Sequence, residues 1–230
     1  MENQENTFNE EQVKEQISQE VRAELNNLGY RLLNQDEVGG RDMCRLVNNF
    51  KNKLIEHDKE AERIKGRYSD TVAESKLNVL EADFRYDKES LVGDIDKIIE
   101  QDQQRRLAEA EKLQSTKDYK ADKKEAIEML CLLRGAGVDI TDSVFLDTIE
   151  PLIEAKDIKG LEVIRLLAGN KVNEYLVDKA TDNINNYFNN EELRQFGDSA
   201  KQFINTGEAE LTLSLHMNKF EQMLRGDING

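Results

Sequence analysis

The sequence predicts an all-α protein: a long, charged, coiled-coil-like helix or helical hairpin, followed by a small C-terminal helical bundle. Three observations carry this expectation. The chain has one proline in 230 residues, where about 5% is usual, and only long helices need so little turn punctuation. Apolar residues recur at alternating steps of three and four through the middle of the chain, which is the spacing of one helical face. The second half alternates apolar helical patterns with Gly, Asn and Asp at helix-stop and helix-start positions. Charged residues make up 34% and hydrophobic residues 38%, with no Trp. That balance fits an extended, solvated part joined to a smaller compact part better than one large globule.

Three regions follow: residues 1–41, 42–116 and 117–230. In the first, Thr7-Phe8-Asn9-Glu10 has the form of a capping box after a polar start. Val13, Ile17, Val21, Leu25 and Leu28 then form a thin apolar stripe. A stripe this thin needs a partner, either the chain's own rod or another molecule, and Val13, Ile17, Val21 and Leu25 are the candidate docking residues. Gly29 reads as a stop, and residues 30–41, ending at Gly39-Gly40, read as a hinge.

Residues 42–115 form the rod. Val47, Phe50, Leu54, His57, Ala61, Ile64 and Tyr68 make an a/d seam, with His57 as a polar register-setter. The seam continues through Val72, Ser75, Val79, Ala82 and Tyr86 only with a stutter. A second stripe, Leu77, Leu80, Phe84, Leu91, Ile95 and Ile98, takes over on another face. Unbroken, about 70 residues at 1.5 Å each would span roughly 105 Å. A break at 66–70, where Ser69, Asp70 or Thr71 can cap a new helix, would fold the rod into a hairpin. Val47, Phe50, Leu54, Ile64 and Tyr68 are the candidate self-association residues. The polar stretch 101–116 reads as the rod's exposed end.

In the third region a helix over 119–134 carries Ala126, Ile127, Leu130 and Leu133, and stops at Gly135 and Gly137. Residues 139–142 start the next helix, and Val144, Phe145, Leu146 and Ile149 follow as its apolar residues. Pro151 reads as the first turn of a separate short helix, 151–156. Asp157, Asn170 and Asn190 read as caps of the helices that follow, the last a short one through Phe196. In the tail, Leu211, Leu213, Leu215 and Met217 alternate as in a strand, whereas Leu213, Met217, Phe220 and Leu224 fit a helix. With no second strand to pair, helix is expected.

The net charge is −15. Residues 1–40 carry 3 basic and 9 acidic side chains, 41–116 carry 15 and 17, and 117–230 carry 14 and 21. The excess at both ends argues against direct binding to nucleic-acid phosphates or anionic membranes. Cys44 and Cys131 are too far apart in sequence for a metal or disulfide framework, so reduced thiols are expected. Residues 1–30 hold no continuous apolar run and no stretch approaches a membrane span, so a cytoplasmic protein is expected.

Chemistry-bearing patterns are sparse. His57 and His216 have no neighbouring ligands at metal spacing. Gly135-Ala136-Gly137 is a helix end rather than a phosphate loop. Asp94-Ile95-Asp96 lacks the glycine and terminal Glu of a calcium loop. No phosphate-loop, dinucleotide, zinc-protease or serine-hydrolase pattern occurs. The reading is a non-enzymatic protein without cofactor or metal.

The organisation resembles that of tailed-phage head scaffolding and head-assembly proteins. The acidic leader Asn6-Thr7-Phe8-Asn9-Glu10-Glu11-Gln12-Val13 is similar to theirs, as is the rod sequence Ile64-Lys65-Gly66-Arg67-Tyr68-Ser69-Asp70-Thr71-Val72-Ala73-Glu74. The resemblance implies capsid assembly by self-association, a capsid protein as client, and a place in the host cytoplasm, procapsid or virion. Residues 217–230 depart from it. Lys219 and Arg225 are balanced there by Glu221 and Asp227, whereas such scaffolds often carry a basic C-terminal helix. An acidic regulatory binder, mimicking nucleic acid before a basic protein, is the alternative.

Overall fold

The computed structural model describes Val13 and residues 16–33, 38–208 and 211–225. The Thr7 capping box lies outside the described residues. Within them are nine helices and no strand: α1 (Gln19–Leu33), α2 (Val38–Arg67), α3 (Asp70–Ser115), α4 (Lys117–Gly135), α5 (Asp142–Glu154), α6 (Ile158–Arg165), α7 (Lys171–Asn189), α8 (Glu191–Thr206) and α9 (Leu211–Arg225). The all-α class is as expected. The compact units differ from the three expected regions. Unit 1 combines the N-terminal segment through Gln35 with Arg105–Asn189, and unit 2 combines Asp36–Gln104 with the residues from Asn190 onward. Helix α3 contributes to both. Long-range burial sets this division, and periodicity along one helix cannot report which distant face will cover it.

In unit 1, α7 packs against α1, α5 and α6. Ile17, Val21, Leu25 and Leu28 join Leu130, Phe145, Ile149, Leu152, Leu161, Ile164, Leu176, Ile184 and Tyr187 in one apolar core. A helix starts late, after a break at Ile17–Ser18. Ser18 caps it: its Oγ accepts from Val21 N at 3.3 Å, and its own N–H donates to Asp142 Oδ2 at 2.9 Å. Gly29 is not a stop, because α1 runs to Leu33. A methyl group there would stand 2.8 Å from Asn183 Nδ2, so the glycine admits α7 at close range. The expected hinge is largely helical as well, since residues 30–33 and 38–41 lie in α1 and α2.

Helices α4 to α7 follow their predicted punctuation, with additions. Thr116 caps α4, accepting from Tyr119 N at 3.3 Å. Helix α4 ends at Gly135, and Gly137 takes a positive φ of 67°. Asp157 Oδ1 accepts from Gly160 N at 2.8 Å and Asn170 Oδ1 accepts from Asn173 N at 2.9 Å. Pro151 does not begin a new helix but lies inside α5. It forfeits one backbone hydrogen bond, and the complete burial of Leu152 and Ile153 beside it offsets that loss.

In unit 2 the rod is not straight. α2 stops at Arg67 and α3 begins at Asp70, closed by Ala73 N to Ser69 O at 2.8 Å. The two helices run antiparallel as a hairpin. Lys53 pairs with Asp87 at 2.7 Å, the His57 ring stacks on Phe84 at 4.2 Å, and Phe50 stacks on Phe84 at 5.9 Å. The second apolar stripe, with Phe84, Leu91 and Ile95 buried, faces inward. The stuttered continuation of the first seam faces water: Val72 is 44%, Val79 60% and Tyr86 73% exposed. α8 runs well past Phe196, to Thr206, and brings Phe196, Ala200, Phe203 and Ile204 onto the hairpin. Phe203 meets Phe50 edge-on at 5.1 Å. α9 is helical, burying Leu213 and Met217 while Leu211 and Leu215 point out. Gly39 opens α2 in close contact, where a methyl group would stand 2.7 Å from Leu193 Cδ2.

Candidate functional site: a groove between α4 and α5

Most of the sequence-derived candidates are buried. Val13, Ile17, Val21 and Leu25 are buried, the last three in the core of unit 1, so this stripe docks on its own chain rather than on another molecule. Val47 and Phe50 are fully buried in unit 2, Ile64 is also buried, and Leu54 and Tyr68 are half-buried. The first part of the expected self-association seam, Val47, Phe50 and Leu54, is therefore covered within the core of unit 2. Asp94 and Asp96 lie within helix α3 and pair with Lys97 at 2.9 Å and Lys201 at 2.5 Å. His57 and His216 each stack on a phenylalanine, Phe84 and Phe196 respectively. Cys44 is buried and Cys131 exposed, both free. Among the described residues no group of three His, Cys, Asp or Glu side chains is set to hold a metal ion, and no helix is long and apolar enough to cross a membrane.

A different feature stands out on unit 1. α4 presents Asp122, Glu125, Ala126 and Met129, and α5 presents Val144, Asp147, Thr148 and Pro151. Each set has the spacing i, i+3, i+4, i+7, which is one face of a helix. The two faces enclose a depression of about 380 Å³. A second depression of about 390 Å³ shares Asp122 and Pro151 with it and extends to Leu113, Tyr119, Glu154 and Lys156. Together they form a groove along the helix pair. Its apolar floor is partly open to water: Met129 is 42% and Val144 43% exposed. Val144 lines the groove, whereas its neighbour Phe145 is fully buried in the core. Thr148 Oγ1 lies 3.8 Å from Met129 Sδ across the groove.

The walls are acidic. Asp122 and Glu125 on α4 and Asp147 on α5 are exposed, and none has an ion-pair partner among the described residues. Glu154 lies 4.0 Å from Arg31.

The far end of the groove is fixed by a polar clamp on the α5–α6 turn. Lys156 holds a left-handed φ of 56°, a strained conformation for a non-glycine residue. Gln114 Nε2 donates to the carbonyls of Ala155 and Lys156 at 3.0 and 3.2 Å. The Asp157 carboxylate accepts from Lys123 Nζ at 2.6 Å, from the Tyr119 hydroxyl, and from Gly160 N. Burial alone would raise the Asp157 carboxyl, but these three hydrogen bonds outweigh it and hold it below the usual carboxylate range. Burial pushes the Tyr119 phenol up, and the adjacent carboxylate adds to that. Arg106 of α3, 1% exposed, donates to the Tyr187 carbonyl at 3.1 Å. Its guanidinium and the Lys156 ammonium both lie over the Tyr187 ring, at 4.6 and 5.0 Å. Every oxygen of Asp157 is thereby committed to holding the turn.

Sequence reasoning missed both parts. Residues 101–116 are not an exposed end: Asp102, Arg106 and Ala110 are buried. Their step of four was visible, but an apolar pattern search passes over a stripe made of Asp, Arg and Ala. The groove faces mix acids, small residues and single apolar side chains, so they carry no hydrophobic period either. No family model, curated protein or solved structure matches the chain.

Proposed function

We propose that this is a non-enzymatic assembly protein that captures a segment of a client protein in the α4–α5 groove of unit 1. The observation that carries the reading is an open apolar floor, Met129, Val144 and Pro151, between carboxylates without partners. Exposed apolar side chains in a concave surface favour a protein segment, which recovers the hydrophobic free energy that water denies them. The resemblance in organisation to tailed-phage head scaffolding proteins supports capsid assembly as the setting and a capsid protein as the client. Self-association by way of Val47 and Phe50 would require opening the core of unit 2. The large apolar side chains exposed on the hairpin of unit 2 are Val38 and Ile55 of α2 and Val72, Val79 and Tyr86 of α3.

An acidic regulatory binder remains the second reading, favoured by the unpaired acids. Nucleic-acid mimicry fits less well, because a phosphate mimic has no use for an apolar floor. The test compares clients retained by the wild-type chain with those retained by Met129→Asp, Val144→Asp and, as a distant control, Leu215→Asp. A single client lost from both groove variants and kept by the control is expected. Identical retention by all four proteins contradicts the reading.

A further inference from the structure

We infer that the occupant of the α4–α5 groove is a short cationic amphipathic helix, with one apolar stripe flanked by Lys or Arg on both sides. The inference rests on the docking reading above and names the partner's chemistry. The length follows from the walls. The α4 side of the groove runs from Tyr119 to Met129, a rise of about 15 Å, or three helical turns. Two antiparallel helices whose facing surfaces repeat at i, i+3, i+4, i+7 accept a third helix between them by ridge-and-groove packing. The floor offers Met129, Val144, Pro151 and Leu113, enough for apolar anchors on consecutive turns of the occupant.

The charge follows from the rims. Carboxylates stand on both walls, Asp122 and Glu125 on one and Asp147 and Glu154 on the other. An occupant with bases on only one side of its apolar stripe would leave one wall unpaired as it is covered. Covering an unpaired carboxylate is costly, and a base beside it removes the cost. A methionine floor suits such a helix, since a flexible thioether adapts to anchors of several shapes.

Neither residues 1–12 nor residues 226–230 carry a base to meet these acids. Residues 1–12 contain Glu2, Glu5, Glu10 and Glu11 and no base. Residues 226–230 contain Asp227 and no base. A second copy brings a net charge of −15 toward an acidic groove. Another protein with basic side chains supplies the complementary charge in this inference.

The experiment is fluorescence anisotropy on the full chain with three labelled synthetic peptides of 14 residues: an amphipathic Lys/Leu helix, a permuted peptide of the same composition with no apolar stripe, and the amphipathic peptide with Glu in place of Lys. We expect the first to bind at least tenfold more tightly than the other two. Met129→Gln with Val144→Ser is expected to weaken it at least tenfold. Asp122→Asn with Glu125→Gln and Asp147→Asn is expected to weaken it and flatten its salt dependence. Glu56→Gln with Glu62→Gln and Glu89→Gln, the same charge change on unit 2, is expected to leave it unchanged. Equal binding of the permuted peptide, or equal loss from the unit 2 variant, overturns the inference as bulk charge attraction. If the Glu peptide binds as well and remains sensitive to Met129 and Val144, the cationic partner is wrong while docking survives. If no peptide binds, the docking reading itself falls.

Discussion

Units 1 and 2 solve the same problem, burying apolar stripes on helices, in opposite ways. Unit 1 uses short helices stopped and restarted by caps, at Ser18, Thr116, Asp157 and Asn170. Unit 2 uses a 30-residue and part of a 46-residue helix folded into a hairpin, covered by α8 and α9 around Phe50, Phe84, Phe196 and Phe203. In unit 1 polar side chains fix the geometry and leave one helix pair open, where the groove forms. In unit 2 aromatic packing closes the inner face and leaves Val72, Val79 and Tyr86 of α3 and Ile55 of α2 outside. Unit 2 also has a depression, of about 480 Å³ beside Phe84 and Val92, but its rim mixes Arg85 and Lys88 with Glu81 and Glu89. The groove of unit 1 differs in having acids on both walls.

The contrast can be broken by substitution. The largest effects are expected in the two cores. Phe50→Ala should cost about 3–5 kcal/mol and Ile149→Ala about 2–5 kcal/mol. Hydrogen exchange read by mass spectrometry should accelerate in unit 2 for the first and in unit 1 for the second. Exchange that accelerates in both units for either variant would merge them into one cooperative body.

Asp157→Ala comes next. It removes a cap and strands Tyr119 and Lys123, for a loss of about 2–3 kcal/mol in urea unfolding. Its pH dependence has a definite sign. The folded carboxyl lies below its usual range, so its stabilisation is complete above an unfolded value near about 4 and fades as the pH falls through the folded value. The stability gap between wild type and Asp157→Asn should therefore narrow below about pH 4. A gap that stays constant to low pH would remove the clamp from the account.

Gly197→Ala probes the packing of unit 2, since the added methyl group would stand 2.8 Å from Ile99 Cδ1 and 3.1 Å from Ile95 Cγ2. A loss of about 1–3 kcal/mol is expected in the same assay. The smallest effect belongs to the outer line of the hairpin. Val79→Asn and Tyr86→Ser should each change stability by no more than about 0.5 kcal/mol, because these side chains are already in water. A large loss from either would mean that the stuttered seam is buried after all.

What the sequence could reveal follows the same divide. Caps are local chemistry, so Asp157, Asn170 and Asn190 were legible as helix starts before any packing was known. The 211–217 alternation resolved to helix, with only Leu213 and Met217 buried, because no strand partner exists among the described residues. The hairpin was legible only as one of two geometries. Two apolar stripes on one helix do not say which face will be covered, and the answer came from α8 and α9, more than a hundred residues away. Gly29, Gly39 and Pro151 misled because each was judged by its backbone preference. The close approach of Asn183 and Leu193, and the burial of Leu152 and Ile153, decided them. The groove was not legible because its residues are individually ordinary and matter only as two facing sets.

Methionine ε-methyl resonances offer the most direct test of the account. Met129 lines the groove, whereas Met43 and Met217 are buried in the core of unit 2. On titration with the amphipathic Lys/Leu peptide, the Met129 methyl should shift progressively to saturation while those of Met43 and Met217 stay in place. A Met129 resonance that does not move at saturating peptide, or one that moves together with Met43 and Met217, would contradict a docking groove on unit 1.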